Sequence, residues 1–140
     1  MDEAREKMVI MRDDGFAPED WCAPLGGVAE AGNVLGFDLE PGEDLAALAP
    51  HLDRIAMIRV RFKSFADGRG FTVARRLRAM GYAGRLRAAG HMLADQYAMA
   101  RRAGFDEVEV TPAIAARQPE VQWRARADWR SGDYQARLRG

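Results

Sequence analysis

Residues 55–90 read IAMIRVRFKSFADGRGFTVARRLRAMGYAGRLRAAG. The first eight positions form an apolar run that passes into alternating arginine and apolar residues, which is typical of a strand leaving the core of a parallel sheet. A loop with two glycines follows, and apolar residues then recur at helical spacing from Phe71 to Met80, with Gly81 as the stop signal. Residues 84–89 predict the next strand. The order strand, helix, strand indicates a βαβ unit with two parallel strands.

The flanking sequence extends the same alternation of strands and helices. Because such units connect by right-handed crossovers, we expect an α/β fold with a small parallel sheet of about four strands built from βαβ units. Residues 34–140 are predicted to form a single α/β domain, whereas residues 1–33 show little periodicity and are predicted to be an irregular N-terminal arm. Within this arm, the apolar residues 8–11 could form a short strand that runs into a turn signal at residues 12–15. Beyond the central unit, strands are predicted over residues 34–39 and 105–110, and helices over residues 45–53 and 91–103.

Composition places the chain among globular proteins. It has 140 residues, of which 48% are hydrophobic and 30% are charged, and this suits one domain with a hydrophobic core. Cys22 is the only cysteine, so an internal disulfide is impossible and a reducing, cytoplasmic location is expected. The acidic N-terminus lacks the pattern of a secretory signal, and no apolar run approaches the roughly 20 residues that span a bilayer. We therefore expect no membrane insertion.

The charges are unevenly distributed along the chain, although the formal net charge is zero. Residues 1–53 carry 13 acidic and 3 basic residues, whereas residues 54–140 carry 8 acidic and 18 basic residues. One interpretation is a basic surface for an anionic ligand or partner. The other is that the acidic and basic halves of the chain pack against each other.

The loop Asp67-Gly68-Arg69-Gly70 is the most informative candidate for a binding site, because it follows a strand and opens a helix. Ligands of parallel sheets bind at the carboxyl ends of the strands, and the N–H groups at a helix start attract anions. The glycines would let a ligand approach the backbone, and Arg69 could clamp an oxyanion such as sulfite, sulfate or phosphate. Alternatively, the loop is only a tight turn in which Asp67 caps the helix and Arg69 is solvated.

A second candidate segment follows the next strand. If both loops share one edge of the sheet, Arg69, Arg87 and His91 could converge near Asp67 and add a titratable imidazole to an anion pocket. Alternatively, His91 is an ordinary first-turn residue and Asp95 pairs with an arginine. No metal is expected, because His51, His91 and a single cysteine give no metal-ligand spacing. The predicted anion-binding residues are Asp67, Gly68, Arg69, Gly70, Arg87, His91, Asp95 and Gln96.

Several of these segments also carry a resemblance to a known family. They are Arg12-Asp13-Asp14-Gly15, Glu19-Asp20-Trp21, Leu35-Gly36, Ile55-Ala56-Met57-Ile58, the stretch FADGRGFTVAR over 65–75, the stretch GYAGRLRAAG over 81–90, Asp95-Gln96 and Arg102-Ala103-Gly104-Phe105-Asp106. In them the chain resembles the bacterial domain-of-unknown-function 934 family, whose members are often described as probable oxidoreductases of sulfite reduction. The chain departs from the family at Ala103, where a cysteine is common, and at Arg61, where an acid is common. The resemblance does not extend to residues 111–140.

The resemblance implies a role in sulfur assimilation with sulfite reductase as a possible partner, because members of the family are typically encoded beside that enzyme. The sequence has no ligand set for a flavin, haem or iron–sulfur cluster, so we expect no cofactor. We therefore expect an accessory or anion-binding protein of sulfite reduction. Two alternatives stay open. One is a small enzyme acting on an anionic substrate, with proton transfer by Asp67, His91 or Asp95. The other is a nucleic-acid-binding module.

Overall fold

The computed structural model describes residues 8–21, 25–26, 35–64, 68–125 and 127. Within them, one mixed sheet contains seven strands in the order β2-β1-β7-β6-β5-β4-β3. Strands β3 to β7 run parallel, whereas β1 is antiparallel to both β2 and β7. The strands are β1 (Val9–Arg12), β2 (Gly15–Pro18), β3 (Leu25–Gly26), β4 (Gly36–Leu39), β5 (Met57–Phe62), β6 (Arg85–Gly90) and β7 (Glu107–Val110).

The predicted α/β class and parallel centre of the sheet are confirmed, but the sheet is larger than the predicted four strands. The additional strands all come from the segment that was predicted to be irregular. Residues 9–18 form a β-hairpin on the outer side of β7, and Gly15 adopts the positive φ of 123° that its turn requires. The short strand suggested at residues 8–11 is confirmed as β1, whereas β2 and β3 have four and two residues and are too short for a periodic pattern to identify them.

The helices follow the predicted order but differ in extent. They are α1 (Arg69–Ala79), α2 (Tyr97–Ala103), α3 (Pro112–Arg117) and α4 (Glu120–Arg124). The helix predicted over 91–103 becomes regular only at Tyr97, because Leu93 is extended and residues 94–96 form a 3₁₀ turn. The helix predicted over 45–53 is instead two 3₁₀ turns, since Pro50 lacks the N–H that a continuous helix would need.

One face of the sheet carries the hydrophobic core. Alternate residues of the central strands, such as Ile58, Val60 and Leu86, are completely buried there against α1 and α2. The ring of Phe62 lies 5.0 Å from that of Phe71 and 5.9 Å from that of Phe105. The opposite face is charged, and only three buried apolar side chains lie among its described residues, outside the main core: Ile10, Met57 and Ala89. The two faces of one sheet therefore differ sharply in chemistry.

Candidate functional site

The carboxyl edge of the sheet, where β4 to β7 end, holds the predicted loops. The N–H of His91 donates to the carbonyl oxygen of Phe62 at 3.0 Å, so β5 and β6 end side by side. Gly90 makes this approach possible, because it has a φ of 113° and a Cβ there would lie 2.4 Å from that carbonyl oxygen. Gly68 and Arg69 at the start of α1 and His91 after β6 therefore lie at the same edge, as predicted.

The start of α1 is electrostatically suited to an anion. Gly68 is the N-cap residue and offers no side chain, and no acidic residue lies in the first turn. Arg69 is exposed at the first helical position. Apart from Gly68 itself and its chain neighbours, no atom of the described residues lies within 4 Å of the position that a Cβ on Gly68 would take. The N–H groups of the first turn, the helix dipole and the guanidinium all favour negative charge at this point.

Gly70 serves packing instead of ligand approach. It is buried, and a Cβ added to it would lie 2.3 Å from the ring of Phe62. The second glycine of the loop is therefore needed because α1 crosses directly over an aromatic side chain.

The remaining predicted residues divide between this edge and the interior. His91 and Asp95 are exposed after β6. Gln96 accepts the N–H of Leu93 at 2.8 Å with its side-chain oxygen, so it holds the 3₁₀ turn before α2. Asp67 lies outside the described residues.

The structure does not place Arg87 with the loop. Its side chain is only 1% exposed and lies on the charged face of the sheet, away from α1. It contacts Glu107 at 2.5 Å, Glu109 at 2.7 Å and Glu19 at 2.5 Å. The prediction that Arg69 and Arg87 share a pocket is wrong for a simple reason. Arg87 lies three residues before the end of β6, and strand alternation points it to the other face.

Arg87 belongs to a network that we call the ion-pair ladder. Its arginines lie between carboxylates on the charged face, and Arg59 reaches over β6 to Glu109 at 3.1 Å while contacting Asp38 at 2.9 Å. The buried members are compensated on several sides, as charges removed from water must be. The ladder consists of Arg12, Glu19, Asp20, Asp38, Arg59, Arg61, Arg85, Arg87, Glu107 and Glu109.

Residues 19–21, which we call the strap, cross the charged face. Glu19 binds Arg87, and Asp20 binds Arg85 at 2.5 Å and Arg12 at 2.9 Å. The indole of Trp21 covers Gly36, where a Cβ would lie 2.9 Å from its Cζ2 atom. The strap therefore runs from the side of β2 toward β4.

The strap carboxylates are held in the charged state. Hydrogen bonds from Arg85, opposed by slight burial and reinforced by Arg12, lower the pKa of Asp20 to about 2. Burial disfavours the charged form of Glu19, but the hydrogen bonds from Arg87 and from the N–H of Trp21 outweigh it and lower its pKa. Burial likewise opposes the charge of Arg87, yet its bond to Glu19 and the charge of Glu107 raise its pKa.

These contacts bear on the uneven charge of the sequence. Two acids of the N-terminal half, Glu19 and Asp20, pair with two arginines of the C-terminal half. The interpretation that the halves pack against each other accounts for this part of the asymmetry.

Other site types find little support in the described part of the chain. No group of three or more histidine, cysteine, aspartate or glutamate residues there could hold a metal ion. No helix within the described ranges is long and apolar enough to cross a membrane.

Comparison with known proteins gives one match. The family model described as a bacterial protein of unknown function (DUF934) matches residues 36–140. The match includes the segment after residue 110, which the sequence resemblance left out, and it begins after the strap. Neither the search of curated proteins nor the search of solved structures found a match. Since the family model covers most of the chain, from β4 to the last residue, the protein belongs to the bacterial DUF934 family.

Proposed function

We propose that this protein is an accessory, anion-binding protein of sulfite reduction that holds a small oxyanion at the carboxyl edge of its sheet. The observation that carries the proposal is the start of α1, where an exposed Arg69 follows a glycine N-cap and no acidic residue lies in the first turn. The link to sulfite reduction rests on the family resemblance.

The chemistry of the edge suits a tetrahedral or pyramidal oxyanion. The N–H of Phe71 already donates to the carbonyl oxygen of Gly68 at 3.2 Å, so the N–H groups of Arg69 and Gly70 would bind the oxygen atoms of the anion. A guanidinium can bind two oxygen atoms at once. His91 is held beside the end of β5 by the hydrogen bond from its backbone N–H to the carbonyl oxygen of Phe62, so it lies at the same edge as the start of α1. The protein would deliver or retain the anion, and the electron transfer would belong to its partner.

A calorimetric titration with sulfite tests this proposal. Arg69→Ala removes a charge-assisted hydrogen bond of about 1.5–3 kcal/mol, so we expect the dissociation constant to rise by a factor of about ten or more. Arg76→Ala is the matched control, because Arg76 is an exposed arginine of the same helix and its loss changes the net charge equally. Its affinity should stay within about twofold of the wild type.

Two results would contradict the proposal. One is equal sulfite affinity in the two variants. The other is no heat of binding to the wild type at about 10 mM sulfite, because a site with a millimolar dissociation constant would be mostly occupied at that concentration.

The association with sulfite reductase needs its own test. A tagged wild-type chain expressed in the native host should retain sulfite reductase on an affinity column, and its absence from the eluate would leave an anion-binding protein without this partner.

A further inference from the structure

The charge of the ion-pair ladder divides between the sheet and the strap. The sheet strands themselves contribute five arginines but only three carboxylates, those of Asp38, Glu107 and Glu109. Glu19 and Asp20 of the strap supply the two missing negative charges. Without the strap, the charged face would therefore present a net positive charge of two.

The carboxylates of the strap are more exposed to solvent than the buried members of the ladder beneath them. The side chains of Arg87, Glu107 and Glu109 are 1–4% exposed, whereas those of Glu19 and Asp20 are 31% and 49% exposed. Ion pairs at the solvent boundary are screened and individually weak. The arginines need acidic partners to remain compensated, yet the partners that the strap provides can exchange with other carboxylates.

The strap also leaves two buried donors unsatisfied. Nη2 of Arg87 and Nε1 of Trp21 have no hydrogen-bond partner in the described part of the structure. The Asp20 carboxylate approaches Nη2 of Arg87 only to 3.8 Å, beyond hydrogen-bond reach. A segment with differently placed carboxylate or carbonyl oxygens would satisfy this donor, so the strap is not the best possible occupant of the site.

An open cavity of about 540 Å³ borders the same arginines. Arg12 and Arg85 form part of its wall, and its other lining residues are Asp13, Asp14, Asp106 and Glu107. Because four carboxylates surround the two arginines there, the cavity gives solvent access to Arg12 and Arg85 but adds no attraction for an acidic chain.

From this charge balance and these unsatisfied donors we infer that Arg12, Arg85 and Arg87 form a docking site for an acidic segment of a partner protein. In the isolated chain the strap occupies this site as an intramolecular competitor. The strap itself defines the chemistry of the partner segment: two adjacent carboxylates followed by an aromatic ring, in an extended conformation. The site lies on the face of the sheet opposite α1 and does not depend on the proposed oxyanion site.

A peptide-binding experiment tests this inference. The probe is a dye-labelled peptide with the sequence of residues 17–21, Ala-Pro-Glu-Asp-Trp, and binding is measured by fluorescence anisotropy. A tethered competitor acts at an effective concentration that can reach millimolar, so wild-type protein should bind the peptide weakly. In a Glu19→Gln/Asp20→Asn variant the strap competes poorly, and we expect the peptide to bind at least about tenfold more tightly.

The matched control is a Glu43→Gln/Asp53→Asn variant, which removes two exposed carboxylates outside the ladder. It should bind the peptide like the wild type. A peptide with glutamine and asparagine in place of the two acids should bind none of the proteins. Equal binding to the strap and control variants, no binding to the strap variant, or equal binding of the neutral peptide would each overturn the inference.

Circular dichroism must show that the strap variant is folded. If it is unfolded, Asp20→Asn alone serves as the milder variant, because this side chain is half-exposed. This single variant must then bind the peptide more tightly than the wild type does, although by less than the tenfold expected of the double variant. Arg69→Ala should leave peptide binding unchanged, so a failure of the oxyanion site and a failure of the docking site give different results.

Discussion

Replacing Arg87 by methionine tests the energetic account of the charged face. Methionine has a similar length and is apolar, so the variant removes the guanidinium without leaving a large cavity. Three carboxylates lose a partner: Glu19, Glu107 and Glu109. The two buried glutamates of the sheet do not become isolated charges, because Glu107 keeps its ion pair with Arg12 and Glu109 keeps its ion pair with Arg59.

The magnitude follows from burial. Breaking a buried ion pair costs about 3–5 kcal/mol, and the remaining arginines place the expected loss near the lower end, at about 3 kcal/mol. That is a large part of the roughly 5–15 kcal/mol by which a domain is stable. Arg61→Met is the matched control, because Arg61 is 47% exposed and contacts Asp38 only at 3.5 Å. Its loss should be at most about 0.5 kcal/mol.

Urea unfolding followed by far-ultraviolet circular dichroism at pH 7 measures both variants, with the free energy obtained by linear extrapolation. A loss of less than about 1 kcal/mol for Arg87→Met would refute a stabilising role of the buried ladder, since a triply paired guanidinium would then contribute no more than a surface ion pair. This role is equally refuted if Arg61→Met is as destabilising as Arg87→Met.

Three further expectations concern stability. Because the pKa of Asp20 is lowered to about 2, its contribution is present above the ordinary carboxyl pKa and lost as the pH falls toward 2. Asp20→Asn should thus cost roughly 1 kcal/mol or less at pH 7, after screening of this half-exposed group. In urea unfolding the difference should shrink below the ordinary carboxyl pKa and vanish once the pH lies below the folded-state pKa of about 2. Gly70→Ala forces a Cβ into a buried phenylalanine ring and should cost about 1–3 kcal/mol, whereas Gly42→Ala, with open space around it, should stay within about 0.5 kcal/mol in the same assay. Arg78→Ala removes hydrogen bonds to three backbone carbonyls and should cost about 2–4 kcal/mol in thermal melting, against about 0.5 kcal/mol or less for the exposed Arg75→Ala.

The central βαβ unit was predictable because its signals are local. The apolar run of β5, the helical spacing of α1 and the stop at Gly81 each act within a few residues, and the observed strand and helix bounds lie within about two residues of those predicted. The first strand and turn of the N-terminal hairpin had a local signal in residues 8–15, but its place in the sheet did not, because β1 pairs with β7, nearly a hundred residues away in sequence.

The candidate site was predictable only where topology suffices. Parallel strands bring their carboxyl ends to one edge, so Arg69 and His91 share that edge. The position of Arg87 depends on which face it takes and on which strands lie beside β6, and neither is visible from one segment. A signal was nevertheless present, because the strand sequence EVEV at 107–110 places acids at every second position of a strand that the parallel fold buries. Set beside the alternating arginines of β5 and β6, it could have predicted the ladder.

The most direct test of the proposed function is a nuclear magnetic resonance titration of the ¹⁵N-labelled protein with sulfite, with sodium chloride at equal ionic strength as the control. We expect the largest amide shifts at residues 68–71 and at His91, and these shifts should saturate together, with little change at Arg85 and Arg87. Shifts confined to the arginines of the ladder, or no saturable shift at the start of α1, would contradict the claim that the carboxyl edge holds the anion.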